Sequence, residues 1–334
     1  MSSARYNVAD QPPFRFVNLI LRWEAMLIAL IIIIIVINSQ LSKYFLDFYN
    51  LSDMTANFSE KAIIALGMAL LIIGREIDLS VAAIIALSSL AMGFAASIGL
   101  DGVWLAPIGI VVGLACGAFN GIIATAFNLP SIVVTIGTMS LFRGLASVAL
   151  GDGAYTKYPP GFLSWGQEYA AKWAPLPVSF VSFLLLAAIF AVVLHLSVFG
   201  RQLQALGNNP VAARFSGVPV HRIRMTLFII SGLMAGLAAV LLTARLGSTR
   251  PNIATGWELE AVTIVVLGGV SIQGGSGTIL GVVLATFVLG LAQFGMGLKN
   301  VPGIVMSVLI GVLLILALAI PALLSRLTNR RTLV

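Results

Sequence analysis

The sequence predicts an all-α polytopic membrane protein of about ten transmembrane helices with one short cytoplasmic helix between spans. Three observations predict it. Of the 334 residues, 59% are hydrophobic and only 9% are charged, whereas a soluble domain carries roughly 25% charged residues. The mean hydropathy is +1.05. The apolar residues also fall in long runs broken by short polar turns, and about 20 such residues cross a bilayer as a helix.

Read in order, the runs are Trp23 to Asn38, Ala62 to Gly74, Leu79 to Ile98, Trp104 to Phe127, Ile132 to Leu150, Val178 to Val198, Met225 to Thr243, Leu259 to Val270, Thr278 to Leu298 and Gly303 to Leu324. The second and eighth, 62–74 and 259–270, are too short to span as straight helices unless their polar flanks extend them. This divides the chain into a tail at 1–22, a membrane domain at 23–324 and a second tail at 325–334. More than twenty mostly polar residues precede the first run, and no small-residue cleavage site follows it, so the N-terminus does not read as a signal peptide.

Charge supplies an independent test of the count. With the N-terminus inside, eleven cations fall in cytoplasmic segments, and all are arginine: Arg5, Arg15, Arg22, Arg75, Arg201, Arg214, Arg222, Arg224, Arg326, Arg330 and Arg331. Seven fall outside: Lys43, Lys61, Lys157, Lys172, Arg245, Arg250 and Lys299. Short loops rich in Lys and Arg stay in the cytoplasm, so an even number of spans with both termini inside is the favoured topology.

The longest polar interruption of the C-terminal half is the loop 200–224, GRQLQALGNNPVAARFSGVPVHRIR, with four arginines and no acid. Asn209 is a capping residue, and Pro210 is tolerated at the first helical position. Val211 to Ser216 therefore predicts a short helix, ended by Gly217 and Pro219. Charge alone is satisfied by a topology loop. The cap, helix and stop together favour a firm surface for a soluble partner.

Other stretches carry weaker signals. The outer segment Gly151 to Pro177 holds Tyr155, Tyr158, Trp165, Tyr169 and Trp173. Two readings stand: a loop lying in the aromatic belt of the bilayer, and a ledge or lid for an external partner. The run LGGVSIQGGSGTILG, Leu267 to Gly281, lacks the lysine a phosphate-binding loop needs. It reads as a tight turn built on Gly268, Gly269, Gly274, Gly275 and Gly277. Gly113, Gly117 and Gly121, with Gly232 and Gly236, suit close helix packing. In GREIDLSV, Asp78 is placed to cap the third span, and Arg75 and Glu76 can pair across the turn. Arg143 is the one charge well inside an apolar run. It either lines a polar pathway with Thr135, Thr138 and Ser140, or it snorkels or pairs with a neighbouring helix.

Several classes have little support. The single cysteine, Cys116, lies in an apolar run, which leaves no disulfide framework and no cysteine metal cluster. His195 and His221 share no metal-ligand spacing, and no nucleophile, base and acid set is visible. The net charge of +7 reflects membrane orientation rather than nucleic-acid binding. An ion-coupled secondary transporter or channel for a small polar solute is the main alternative class. It wants acidic residues deep in the spans, and the runs hold almost none.

Four ordered motifs carry a family resemblance: IDLS at 77–80, NLPSIVVTIGTMSLFRG at 128–144, GNNPVAARFSGVPV at 207–220 and VLGGVSIQGGSGTILG at 266–281. From about Asn50 to Leu324 the chain resembles the inner-membrane permease subunits of bacterial ABC importers for monosaccharides, of the ribose, xylose, rhamnose and autoinducer-2 type. Within the third motif, Ala212 and Ala213 followed by Gly217 look like the loop whose coupling helix docks in the ATPase subunit. Val211 stands where the broader pattern has Glu, and Arg75-Glu76 where many relatives have two glycines. The resemblance implies ATPase coupling through Asn209, Pro210, Ala212, Ala213, Arg214 and Gly217. It implies a periplasmic sugar-binding protein, a second permease subunit that is a copy or a paralogue, and a cytoplasmic ABC ATPase that holds the ATP and magnesium. This chain would bind no cofactor or metal and would sit as a multi-pass protein in the inner membrane. The substrate implied is a pentose or deoxyhexose, with rhamnose the choice from overall resemblance.

Overall fold

The computed structural model describes residues 23–171 and 174–329. Its helices are α1 (Trp23–Leu41), α2 (Phe48–Ile73), α3 (Val81–Ser97), α4 (Gly102–Ala126), α5 (Ser131–Leu150), α6 (Pro160–Gln167), α7 (Val178–Leu196), α8 (Val198–Asn208), α9 (Pro210–Phe215), α10 (Val220–Leu246), α11 (Trp257–Leu267), α12 (Ile279–Leu298) and α13 (Gly303–Asn329). Between α6 and α7, β1 (Tyr169–Ala171) and β2 (Ala174–Pro177) pair antiparallel. This small hairpin is the one departure from an all-α chain among the described residues.

Seven of these helices are long and apolar enough to cross a membrane: α1, α2, α4, α5, α7, α10 and α12. The polytopic class therefore holds, while a count of ten full spans is not reached on length. α3 has 17 residues, and the described apolar part of α13 ends at Leu316. The short run at 62–74 becomes a full span because its polar flank is helical too. Asp47 caps α2 by accepting hydrogen bonds from the Tyr49 and Asn50 amides, both at 3.1 Å. The run at 259–270 stays short. Gly256, at φ +88°, precedes α11, and Gly268 and Gly269 end it after 11 residues.

The connections between helices gather on two faces. On one, the 74–80 turn meets Asn208 and the 271–276 turn. It carries Arg75, Arg201, Arg214, Arg222 and Arg224 and is called here the basic face. On the opposite face, Tyr155 bridges Thr249, Gln167 reaches the Arg245 carbonyl, and the Ser52 hydroxyl donates to the Pro175 carbonyl.

The core is closest where α4 crosses α10. A Cβ on Gly113 would collide with the Gly232 carbonyl, and one on Gly117 with the Phe228 carbonyl. Small residues let membrane helices approach backbone to backbone, as the glycine spacing predicts. Phe58, Phe180 and Phe287 join α2, α7 and α12, with centroids 5.2–6.2 Å apart. α1 is largely exposed. It is pinned by Trp23, whose indole donates to the Leu267 carbonyl at 2.8 Å, and by Asn38, which donates to the Leu291 carbonyl at 3.0 Å.

Two cations expected outside the spans lie within them. Lys61 is in α2 and pairs with Glu260 of α11 at 2.6 Å. Arg245, in the last turn of α10, pairs with the fully buried Glu60 of α2 at 2.7 Å. The span interiors thus hold more acid than the apolar runs suggest, because Glu60 lies in the helical extension that precedes the second run. The aromatic segment 151–177 packs in part on the bundle. Tyr158 is buried, shares a 2.6 Å hydrogen bond with Thr249 and stacks on Phe162, while Trp165 is exposed. Burial pushes the Tyr158 phenol up to about 12.

Candidate functional site on the basic face

Three chain turns converge on the basic face. The first follows α2, where Gly74 packs against Leu203 of α8 and Leu227 of α10. The second is the glycine turn between α11 and α12. Gly275, at φ +79°, donates its amide to the Ile73 carbonyl at 2.8 Å. A Cβ on Gly207 of α8 would strike that same carbonyl and the Gly275 backbone. Gly269 lies against Trp23, Gly268 against Val282, Gly274 against Arg75 and Gly277 against Val270. The glycine stretch is therefore a packed joint, built as the tight turn its glycines suggest.

The third turn carries α9. The Asn209 side chain accepts hydrogen bonds from the Val211 amide at 3.1 Å and the Ala212 amide at 3.0 Å. Pro210 occupies the first turn. Gly217 adopts φ +83°, the left-handed stop that glycine takes without strain, and Val218 donates back to the Ala213 carbonyl at 3.0 Å. Cap, helix and stop thus fall where the sequence predicts.

The exposed side of α9 differs from the expected one. Ala213 is only 4% exposed. Ala212, Arg214 and Gly217 are exposed. Phe215 is 89% exposed and Val211 65%. A helix of six residues turns only part of its surface outward, and the sequence alone does not say which part. Phe215 was not singled out by the sequence reading. An aromatic residue amid polar and small neighbours is the signal that marks it.

α9 borders a cleft of about 740 Å³, also lined by Arg75, Glu76, Phe215 and Arg224. Arg75 and Glu76 do not pair with each other. Arg75 donates to the Asn208 carbonyl at 2.9 Å, and Glu76 forms an ion pair with Arg224. Left-handed backbone at Arg75, φ +63°, turns the two side chains apart. Asp78 is not a simple cap of α3 either. It is fully buried and accepts from the Ser80 amide at 2.9 Å, the Ser80 hydroxyl at 2.6 Å and the Ser231 hydroxyl at 2.9 Å. Asn120 donates to the same Ser80 hydroxyl at 2.8 Å. Asp78 therefore knots α3, α4 and α10 together.

The four predicted pathway residues separate into two pairs on α5. Thr135 and Thr138 are buried, with Thr135 bonded to the Ile77 carbonyl. Ser140 and Arg143 face a different groove, toward the 251–258 segment. Arg143 bonds to the segment before α11: its Nη1 donates to the Pro251 and Ile253 carbonyls, both at 2.7 Å.

Residues 50–318 match the family described as the permease component of branched-chain amino acid transport systems. The ribose import permease protein RbsC of Bacillus subtilis is 33% identical over 289 residues, 85% of this chain and 88% of that protein. The RbsC protein of Escherichia coli K12 is 33% identical over 303 residues, 88% of this chain and 92% of its own. The autoinducer 2 import system permease protein LsrD of Klebsiella pneumoniae is 33% identical over 302 residues, 88% and 90% of the two chains. No solved structure matches the chain. With its membrane helices spanned almost end to end by these matches, the chain belongs to the family of transport-system permease components that the ribose and autoinducer-2 import permeases exemplify.

Proposed function

We propose that this chain is the transmembrane permease subunit of an ATP-driven ABC importer that moves a monosaccharide, a pentose or a deoxyhexose such as rhamnose, across the bacterial inner membrane. The basic face is cytoplasmic in this reading, with both termini on that side, since arginine-rich loops stay inside. An ABC ATPase subunit binds ATP and magnesium and grips α9. A second permease subunit, a copy or a paralogue, completes the path, and a periplasmic binding protein delivers the sugar to the opposite face.

The observation that carries this is α9 itself. It is capped at both ends, stands beside an open cleft and presents Val211 and Phe215 outward. An exposed aromatic and aliphatic pair on a capped helix, amid polar neighbours, suits a partner's pocket. Asn209, Pro210 and Gly217 hold the helix in shape, Ala212 and Arg214 flank the anchor, and Ala213 seats it on the bundle.

An ion-coupled transporter would want a carboxylate deep within a long span and free to bind its coupling ion. Glu60, near the middle of α2, has both oxygens held by Arg245. The direct test is uptake of labelled ribose, xylose and rhamnose by cells depleted of ATP with the proton gradient kept intact. Uptake should stop. Survival of uptake would favour the ion-coupled reading.

A further inference from the structure

The groove that holds Arg143 and Ser140 is not explained by α9 or by the basic face. It has a volume of about 440 Å³ and is lined by Met139, Ser140, Arg143, Asn252, Thr255 and Glu258. Arg143 is seven residues from the end of α5, so it lies about 10 Å along the helix from the face that carries loop 151–177. A second polar cleft of about 580 Å³ continues the groove toward that face. It shares Ser147, Pro251 and Asn252 and adds Asp152 and Arg250.

Charge at this depth faces a bundle interior or a water-filled cavity rather than acyl chains. Here it opens on the surface of the single chain, where Ser140, Asn252 and Thr255 are exposed. The groove therefore faces an aqueous lumen or a second subunit rather than acyl chains. Its donors are also only half used. A guanidinium has five N–H groups. Nη1 of Arg143 serves two backbone carbonyls, while Nε and Nη2 make no hydrogen bond among the described residues. Across the groove, the Glu258 carboxylate makes no side-chain hydrogen bond among the described residues, and only its Oε2 atom is fully buried. The other oxygen, Oε1, is left free to accept from a ligand donor in the groove.

We propose that this groove is the monosaccharide-binding site of the transport path. Arg143 donates to one sugar hydroxyl, and Glu258 accepts from a neighbouring one. Ser140, Asn252 and Thr255 reach the remaining hydroxyls, and Met139 contacts the apolar face of the ring. Arg143 and Glu258 offset each other in charge, which suits a neutral polyol. An amino-acid zwitterion could also bridge them, but the surrounding hydroxyl and amide groups would then meet its aliphatic side chain. The volume lies within the usual range for small-molecule sites. Thr135 and Thr138, buried on another side of α5, take no part. This assignment rests on the importer reading and deepens it.

The test uses single cysteines in the assembled transporter, in a Cys116→Ser background. Ser140→Cys and Thr255→Cys are labelled with a charged, membrane-impermeant thiol reagent. Leu145→Cys, on another side of α5 and half exposed, is the control. Ser140→Cys and Thr255→Cys should react, Leu145→Cys should not, and millimolar ribose, xylose or rhamnose should slow the reaction at least threefold. Glu258→Gln should abolish that protection while Ser140→Cys stays reactive. Unreactive groove cysteines, or reactivity unchanged by all three sugars, would overturn the site. Protection by leucine and not by sugars would overturn the polyol assignment. Sugar protection together with uptake that survives ATP depletion would leave the groove standing and remove the importer reading instead.

Discussion

Arg224 and Glu76 form an ion pair that joins the base of α10 to the turn after α2, and their side chains are only 14% and 8% exposed. The same guanidinium reaches Asn128 in the turn before α5 at 3.3 Å. α9 connects to α10 through the short link Ser216–Pro219. In the coupling proposed above, a push on α9 reaches Arg224 and from there the turns after α2 and before α5. Two residues beyond Glu76, Asp78 continues the linkage to Ser231 and, through Ser80, to Asn120.

If this pair transmits movement, removing one partner should do more than weaken the fold. Glu76→Gln strands a largely buried guanidinium, a change that costs up to about 3–5 kcal/mol in buried pairs. The expected result is a lower unfolding midpoint and transport reduced at least tenfold, with ATP hydrolysis by the attached subunit continuing. The exchanged pair, Glu76→Arg with Arg224→Glu, should regain part of both. Equal loss of transport and hydrolysis in Glu76→Gln, with no recovery in the exchange, would make the pair a stability element only.

The α4–α10 crossing yields a prediction about assembly. Gly117 and Gly232 meet backbone to backbone, so a side chain there separates the helices along their length. Overpacking a tight core costs about 1–3 kcal/mol, and here no flexible side chain can yield. Gly232→Val should sharply reduce the monodisperse protein recovered after detergent extraction. Gly137→Ala should not, because a Cβ at Gly137 meets nothing within 4 Å. Equal recovery of the two variants would show that the crossing tolerates separation.

Much of this was legible in the chain. Apolar runs located the helices, and the Asn209-Pro210 start and Gly217 stop located α9, because caps and left-handed turns are set by local residues. What was not legible depends on partners far apart in sequence. Glu60 looked like part of a polar flank until α2 extended through it and Arg245 met it 185 residues later. Arg75 and Glu76 looked like partners because they are adjacent, yet each bonds to a different element. The four pathway candidates looked like one stripe, and the rotation of α5 against its neighbours splits them. The 251–258 segment, which completes the groove with Asn252, Thr255 and Glu258, carries no motif of its own.

The orientation of α9 gives the last prediction, and it revises the expectation that Ala212, Ala213 and Gly217 form the gripping surface. Ala213 is turned inward, so Ala213→Glu would force a carboxylate into the joint between α9 and the bundle and should lower the amount of folded permease. Phe215 is turned outward and touches little of its own chain. Exposed aromatic anchors that fill a partner's pocket typically cost 2 kcal/mol or more when truncated, roughly a thirtyfold loss of affinity. Phe215→Asp should therefore leave membrane insertion and protein amount near normal while ATPase co-purification and sugar uptake fall at least tenfold. Phe215→Leu, which keeps an apolar anchor, should retain most of both. The contrast separates grip from fold: loss of protein in Phe215→Asp would mean the ring supports the permease itself. Normal uptake with the ATPase still attached would mean that the partner holds the chain somewhere other than α9.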